Sequence, residues 1–327
     1  MNPTRLCMIG AGGHASRIIY SCFPLLQNAV VVANADLDKD RAISAGRRYG
    51  IERSYSDYHE MLAQEKPDGV VICVAADFHA RTAIELMEAG YHVYTEKAPA
   101  LDLAQCRQML QMQRRTGKVC MTAFKKRFAP AYMKAKNVIN SDDFGQPALL
   151  TITRTSGQWG GTEDTINTYL RENSIHVVDL AAYLFGPVKR VSATGRSVAT
   201  AVLTLQYENG GIGTVAVTDR MSYQRGWEVV TAVGDGGVCI QVDNSVEMNA
   251  VKIDQPIASH KPEFVAGTSL SAIEQGFSGE LQAFVDAIRT GTKPDASIEH
   301  ATHAMAILHA VREAFETEKT VDVEPIE

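Results

Sequence analysis

Residues 6–19 read LCMIGAGGHASRII. An apolar strand-like run ends at Gly10, and a helix-compatible run opens near Ala15. Gly10, Gly12 and Ala15 stand at the G-x-G-x-x-A spacing of a dinucleotide-binding turn. The first glycine permits the tight turn, the second lets the backbone approach a pyrophosphate, and the small third residue lets helix and strand pack. The helix start then offers unpaired amides and a favourable dipole to phosphate. A glycine cluster by itself is also what an ordinary turn looks like. Here a strand precedes it, a helix follows it, and the next strand-like stretch, VVANADLD, ends at Asp36 and Leu37. An acid at that place accepts hydrogen bonds from ribose hydroxyls and repels a 2′-phosphate, and Leu37 supplies no arginine to offset the repulsion. The expected cofactor is therefore NAD rather than NADP.

Working outward, Arg5–Ile9, Ala29–Ala35, Gly69–Ala75, Tyr91–Thr95 and Lys118–Ala123 read as short apolar strands. Helical patterns such as Ala80–Ala89 and Leu103–Arg115 lie between several of them. This rhythm predicts an α/β domain over residues 1–123, a Rossmann-type doubly wound parallel sheet covered on both faces. From residue 124 the rhythm changes. Helices near 129–140 and 174–185 flank a strand at 148–155, and VLTLQY, GIGTVAV and WEVVTAV are separated by the hairpin signals ENGG and GDGG. Two helices near 279–289 and 298–316 follow. Residues 124–327 are expected to form an α+β domain with an open, mainly antiparallel sheet that binds substrate and supports oligomerisation.

The chain of 327 residues is 45% hydrophobic and carries a formal charge of −6 with no basic tract, which argues against nucleic acid or an anionic membrane as partner. No run approaches a membrane span, and Met1–Gly10 lacks the pattern of a signal peptide. The six cysteines contain no C-x-x-C pair, and Cys7, Cys73 and Cys120 fall in strand-like runs as small core residues. A reducing cytoplasm is the expected location. His300, His303 and His309 have mixed spacing and no supporting cysteines or acids, so no metal is expected.

A second stretch, YHVYTEKAPA at 91–100, ends its strand in Glu96-Lys97. Opposite charges at the end of a buried strand are costly unless something uses them, although a solvated surface pair is the ordinary fate of Glu-Lys. In open α/β sheets ligands bind beyond the carboxyl ends of the strands. A lysine there is able to hydrogen-bond the oxygen of a reacting C–OH and stabilise alkoxide-like charge. His176 lies in an apolar helical run, where a lone histidine is usually structural. Imidazole nevertheless suits a base that takes a hydroxyl proton at neutral pH. Glu172 lies four residues before it and Asp179 three after, both at helical spacing.

GAGGHA, EKAPALD at 96–102, AFKKRFAPAY at 123–132, IHVVDLAAYLFG at 175–186 and ELQAFVDAIRTGTKP at 280–294 occur in that order. Over nearly its whole length the chain resembles the Gfo/Idh/MocA family of glucose-fructose oxidoreductase and inositol dehydrogenase-like oxidoreductases. The resemblance implies a catalytic Lys97, matching the lysine of the family's E-K-P, and a catalytic His176. Glu172 stands where the family often has aspartate. Ala98 replaces the motif's proline, which is displaced to Pro99. The implied cofactor-binding set comprises Gly10, Ala11, Gly12, Gly13, His14, Asp36 and Leu37, joined by Val74, Ala75, His79, Glu96 and Lys97. Substrate is expected at Lys97, Glu172 and His176, with Lys125 and Arg127 beside them. Arg154 and Trp159 flank a Gly-rich loop and are also expected to read substrate. Trp159 is equally suited to anchoring that loop.

The expectation is an NAD-dependent dehydrogenase moving hydride between nicotinamide and a secondary alcohol of a sugar, inositol or related polyol. The partner is then a small molecule, and the assembly a homodimer or homotetramer. Two alternatives stay open: an NADP-dependent reductase of another carbonyl or conjugated substrate, and a dinucleotide-binding sensor without turnover. Intact Lys97 and His176 argue against the sensor.

Overall fold

The structure, a computed structural model, describes residues 2–157, 168–222, 226–262 and 269–326. It divides into two compact units, one of residues 1–125 and 266–302, the other of 126–265 and 303–327. The first unit therefore takes back a late segment that a simple cut after residue 123 assigns to the second. The cause is packing. Phe284 and Ile288, from the helix Phe277–Thr290, come within 3.1 and 2.7 Å of where a Cβ on Gly69 would stand. The rings of Tyr94 and Phe284 pack tilted at 53° with their centroids 5.9 Å apart. These apolar groups complete the core of the parallel sheet.

The sheet of the first unit has six strands: β1 Thr4–Ile9, β2 Ala29–Ala35, β3 Arg53–Tyr55, β4 Gly69–Ile72, β5 His92–Thr95 and β6 Cys120–Thr122. Their order is β3-β2-β1-β4-β5-β6, with all pairs parallel. This is the doubly wound order whose switch point lies between β1 and β4. Capping chemistry starts the helices between them. Asp38, Asp57 and Asp102 accept amide hydrogen bonds at the starts of Lys39–Tyr49, Tyr58–Glu65 and Leu103–Thr116. β4 is shorter than the apolar run Gly69–Ala75, because Ala75 already caps the helix Ala76–Glu88. Cys7, Cys73 and Cys120 are buried in this core.

The second unit has a nine-stranded mixed sheet. Its strands are β7 Pro147–Gly157, β8 Val188–Ser197, β9 Thr200–Tyr207, β10 Ile212–Met221, β11 Glu228–Gly234, β12 Val238–Asp243, β13 Glu247–Lys252, β14 Gln255–His260 and β15 Val321–Asp322. Their order is β14-β13-β12-β11-β7-β10-β9-β8-β15. The β7–β10 pair is parallel and the other described pairs are antiparallel. ENGG and GDGG turn β9 into β10 and β11 into β12, as their composition predicts. Leu203, Val215, Ile152, Val230, Val242 and Met248 stand opposite one another across six strands and form one buried apolar row. The helices Pro130–Ile139 and Ile175–Phe185 pack on the sheet. On the other face Val202, Ile212, Leu149 and Val251 are exposed. No helix among the described residues is long and apolar enough to cross a membrane.

His303, in the second unit, accepts the Val188 amide proton through Nε2 at 3.1 Å. Burial, with Arg127 adding to it, lowers its pKa to about 4 from the ordinary 6.5. The unfolded chain then binds a proton that the folded chain refuses. Stability from this group is complete above pH 6.5 and drains as pH falls towards 4, by about 3 kcal/mol in all. Thermal melts between pH 7 and 5 should show a falling midpoint, and His303→Gln, which keeps an acceptor but does not titrate, should flatten it. Equal slopes in both proteins would place the acid lability elsewhere.

Candidate active site

Gly10 ends β1 with φ of +103°, and a Cβ there would lie 2.1 Å from the Cys73 carbonyl oxygen. Only glycine fits such a turn. Apart from its own chain neighbours, nothing among the described residues lies within 4 Å of where a Gly12 Cβ would project, so the backbone there is open to a close ligand. Ala15 is buried, as close packing of the following helical segment on the sheet requires. Asp36 Oδ2 accepts the Ala11 amide at 2.7 Å and Oδ1 accepts the Asp38 amide at 2.9 Å. The acid thus shapes the glycine turn as well as standing at the end of β2.

These residues line a cavity of about 560 Å³ at the carboxyl ends of the strands. Gly10, Gly12, Gly13, His14, Asp36, Leu37, Val74 and Ala75 all contribute to its wall. Leu37 is almost wholly exposed (95%). Ala11 is buried behind the turn. The wall also includes Arg41, Ser56, Tyr58, Phe78 and Arg81, which the motif reading did not single out. Arg41 is the informative one, lying 3.8 Å from Asp36 and 3.2 Å from Asp38. Its signal was local: Asp38 caps a helix, and the residue three beyond a cap turns back over it.

β5 leads into the turn that carries Lys97. Glu96 is buried, and its Oε1 lies 3.0 Å from His14 Nε2. Its Oε2 accepts the Lys97 amide at 3.0 Å. Burial alone would raise the Glu96 carboxyl; the His14 hydrogen bond and the charges of His14 and Lys97 outweigh it and hold the acid below its ordinary range. His79 is fully buried, with Nδ1 2.7 Å from the Ala98 carbonyl oxygen. Since a carbonyl only accepts, Nδ1 carries the proton. His79 therefore acts on the lysine turn from beneath and is not in the cavity wall. The Lys97–Ala98 peptide is cis. Lys125 Nζ bonds Gln275 at 3.1 Å and stands 4.1 Å over the Phe277 ring. Nearby, Glu280 is fully buried, and burial together with the Glu96 charge pushes its carboxyl well above its ordinary value.

In the second unit the π-helical turn Leu170–Ser174 carries Glu172 and runs directly into the helix Ile175–Phe185 with His176 in its first turn. Glu172 pairs with Arg171 at 3.4 Å. Asp179, one turn further on, is buried in a forked pair with Arg127, at 2.7 Å to Nη2 and 2.9 Å to Nε. Burial raises the Asp179 carboxyl, with Arg127 opposing the rise. Arg127 is itself only 4% exposed and stacks on Tyr183, so the structure gives it a holding role for this helix. Trp159 lies outside the described residues.

A larger charged cluster sits beside this turn. Glu228 accepts from Lys126 at 2.5 Å, Tyr132 at 2.7 Å and Ser245 at 2.9 Å through Oε1, and from Arg154 at 2.8 Å through Oε2. Burial would raise this carboxyl, but the two cations and these hydrogen bonds drive it far below the usual carboxylate range. Arg154 also donates through Nε to Asn173 Oδ1 at 3.1 Å, within the π-helical turn. Sequence reasoning picked out Arg154 and missed Glu228, Lys126 as a buried ion, and Asn173. Cross-strand register supplies the missing signal, since Glu228 stands directly opposite Arg154.

Residues 4–124 match the family described as "Oxidoreductase family, NAD-binding Rossmann fold", and residues 136–323 match its C-terminal alpha/beta domain. A myo-inositol 2-dehydrogenase of Thermotoga maritima is 24% identical, over 98% of this chain and 99% of its own length. A scyllo-inositol 2-dehydrogenase (NAD(+)) of Bacillus subtilis is also 24% identical, over 96% and 94%. Among solved structures, levoglucosan dehydrogenase in complex with NADH and L-sorbose superposes with a TM-score of 0.85 at 21% identity, covering 99% of this chain and all of its own. That last likeness is one of fold.

Proposed function

The chain belongs to the Gfo/Idh/MocA family of oxidoreductases, and on that premise we propose an NAD-dependent dehydrogenase that oxidises a secondary alcohol of a sugar, inositol or related polyol. The observation that carries the reading is the Glu96–His14 contact, which ties the turn bearing Lys97 to a residue of the dinucleotide-sized cavity. The inositol dehydrogenase relatives and the NADH-bound structural neighbour support it. The cavity suits a dinucleotide: an open backbone at Gly12, a cavity of about 560 Å³ and an acid beyond β2. Gly10–His14 would hold the pyrophosphate, Asp36 the adenosine ribose, and Leu37 an apolar face of the base. Bound NAD+ supplies the hydride acceptor.

Two side chains are assigned to the reacting hydroxyl. His176 takes its proton as general base. Lys97 donates a hydrogen bond to the same oxygen and stabilises the negative charge that grows on it as hydride leaves carbon. Glu172 is assigned as the partner carboxylate of His176, favouring the protonated ring after transfer. The two groups come from different units, and their pairing is a chemical assignment. Lys97→Ala should lower kcat about 10²–10³-fold while NADH affinity, read by fluorescence, stays near wild type. His176→Ala should remove the acidic limb of the kcat/KM profile, and Glu172→Gln should shift it to lower pH. Near-normal kcat in Lys97→Ala, or loss confined to cofactor binding, returns the lysine to a holding role.

NAD is the assigned cofactor because Asp36 opposes a 2′-phosphate. Arg41, 3.8 Å from Asp36, lies closer to the Asp38 carboxylate, at 3.2 Å. We expect kcat/KM for NAD+ to exceed that for NADP+ by at least about tenfold, the equivalent of roughly 1.4 kcal/mol. Asp36→Ser should narrow the gap, and a wild-type preference for NADP+ overturns the assignment.

The exposed sheet face around Val202, Ile212 and Leu149 is assigned to a second copy of the chain, since isologous pairing is the usual way to cover such a face. Light scattering should give at least twice the 35.6 kDa chain mass, and Val202→Asp should reduce it. A wild-type protein scattering as a single chain at micromolar concentration refutes the assembly.

A further inference from the structure

Arg154 is anchored in an unusual way for a residue deep in a sheet. Period-two alternation puts it on the same face of β7 as Ile152, which lies in the buried apolar row. It is nevertheless 23% exposed at its side chain. Nη1 is fixed by Glu228 and Nε by Asn173. Nη2 donates no hydrogen bond among the described residues and is not sealed from solvent. The guanidinium is thus locked in direction on one side and open on the other.

The charge count matters as much as the geometry. One carboxylate, Glu228, serves two cations, Lys126 and Arg154. Glu172, the nearest other acid on the π-helical turn, is matched by Arg171. Among the described residues of the cluster two cations face one carboxylate, and the exposed end is Arg154, since Lys126 and Glu228 are only 5% and 7% exposed. A neutral polyol hydroxyl needs no such surplus. An anionic oxygen matches both the charge and the unspent N–H groups, and a pre-fixed arginine loses little freedom in binding it.

Resting on the dehydrogenase reading above, we infer that Arg154 is a specificity-determining residue and that the substrate is a polyol or sugar carrying an anionic group, a carboxylate or a phosphate. Glu228 and Asn173 are positioning residues that aim the guanidinium. The oxidised carbon remains a secondary alcohol, so the anion is recognised and not transformed.

The test uses the full-length protein with NAD+ and matched substrates sharing one carbon skeleton: D-glucose, D-glucuronate and D-glucose 6-phosphate, with myo-inositol and its monophosphate as a second series. Wild type should favour an anionic member by at least about tenfold in kcat/KM, the worth of a charge-assisted hydrogen bond. Uronate over phosphate, or the reverse, names the group. Arg154→Met should erase that preference, with the larger loss in kcat/KM falling on the anionic substrate, and Arg154→Lys should restore part of it. Neutral substrates turned over as well as anionic ones by wild type overturn the inference, even if the variant fails to fold. So does a loss in Arg154→Met that is equal for both classes. Turnover confined to neutral polyols sinks this inference alone, whereas no turnover with any member removes the dehydrogenase reading and this inference with it.

Discussion

A side chain on Gly10 would collide with the carbonyl of Cys73, and the cofactor half of the protein is arranged around that close approach. β1 and β4 are direct neighbours, and the chain leaves β1 at the point where the strand order reverses. The turn must therefore pass over the end of β4 with no room for a Cβ. Once it does, the Ala11 amide faces Asp36 at the end of β2, and His14 comes within reach of Glu96 beyond β5. Three strand ends are cross-linked through one tight loop. The turn holding Lys97 is then fixed from two sides, by Glu96 towards the loop and by His79 from beneath.

The second unit solves a different problem, that of keeping ions inside an apolar layer. Removing charges from water costs several kcal/mol per ion, and the cost is offset only where hydrogen bonds are nearly complete. Arg127 and Asp179 meet this condition as a fork, and Glu228 meets it by accepting from four donors. Both arrangements join sheet or connecting segments to the stretch 170–179, where Glu172 and His176 reside. Directionality is the gain: apolar packing tolerates small rotations of a helix, whereas a forked ion pair does not.

The alternating strands and helices before Phe124, the glycine spacing and the acid at Asp36 were readable because each reports a local geometric need. So were the two hairpins, whose glycine-rich turns are set by backbone conformation alone. What was hidden depends on non-local pairing. Arg127 was expected beside the substrate, and nothing in FKKRF announces buried partners for it or for Lys126 at Asp179 and Glu228. Nothing in ELQAFVDAIRTGTKP marks Glu280 as an acid buried in the first unit. His79 is adjacent in sequence to cavity residues but points the other way, into the support of the lysine turn. β3 and β15 are too short to show a period. The return of 266–302 to the first unit was invisible for the same reason, because an amphipathic helix does not name the surface it covers.

That return has a bearing on how the chain reaches its native state during synthesis. Gly69 and Tyr94 emerge early, but Phe284 and Ile288, which cover them, are made only after the whole of β7–β14. The nascent Rossmann sheet must therefore persist with an uncovered apolar side while some 140 residues are added. β7 has a similar wait, since its partners β10 and β11 lie far along the chain. Contacts of such long sequence separation form slowly. The last apolar residues of the first unit thus act as a closing step, and vectorial synthesis imposes an order in which the second sheet is largely complete before the first core is sealed.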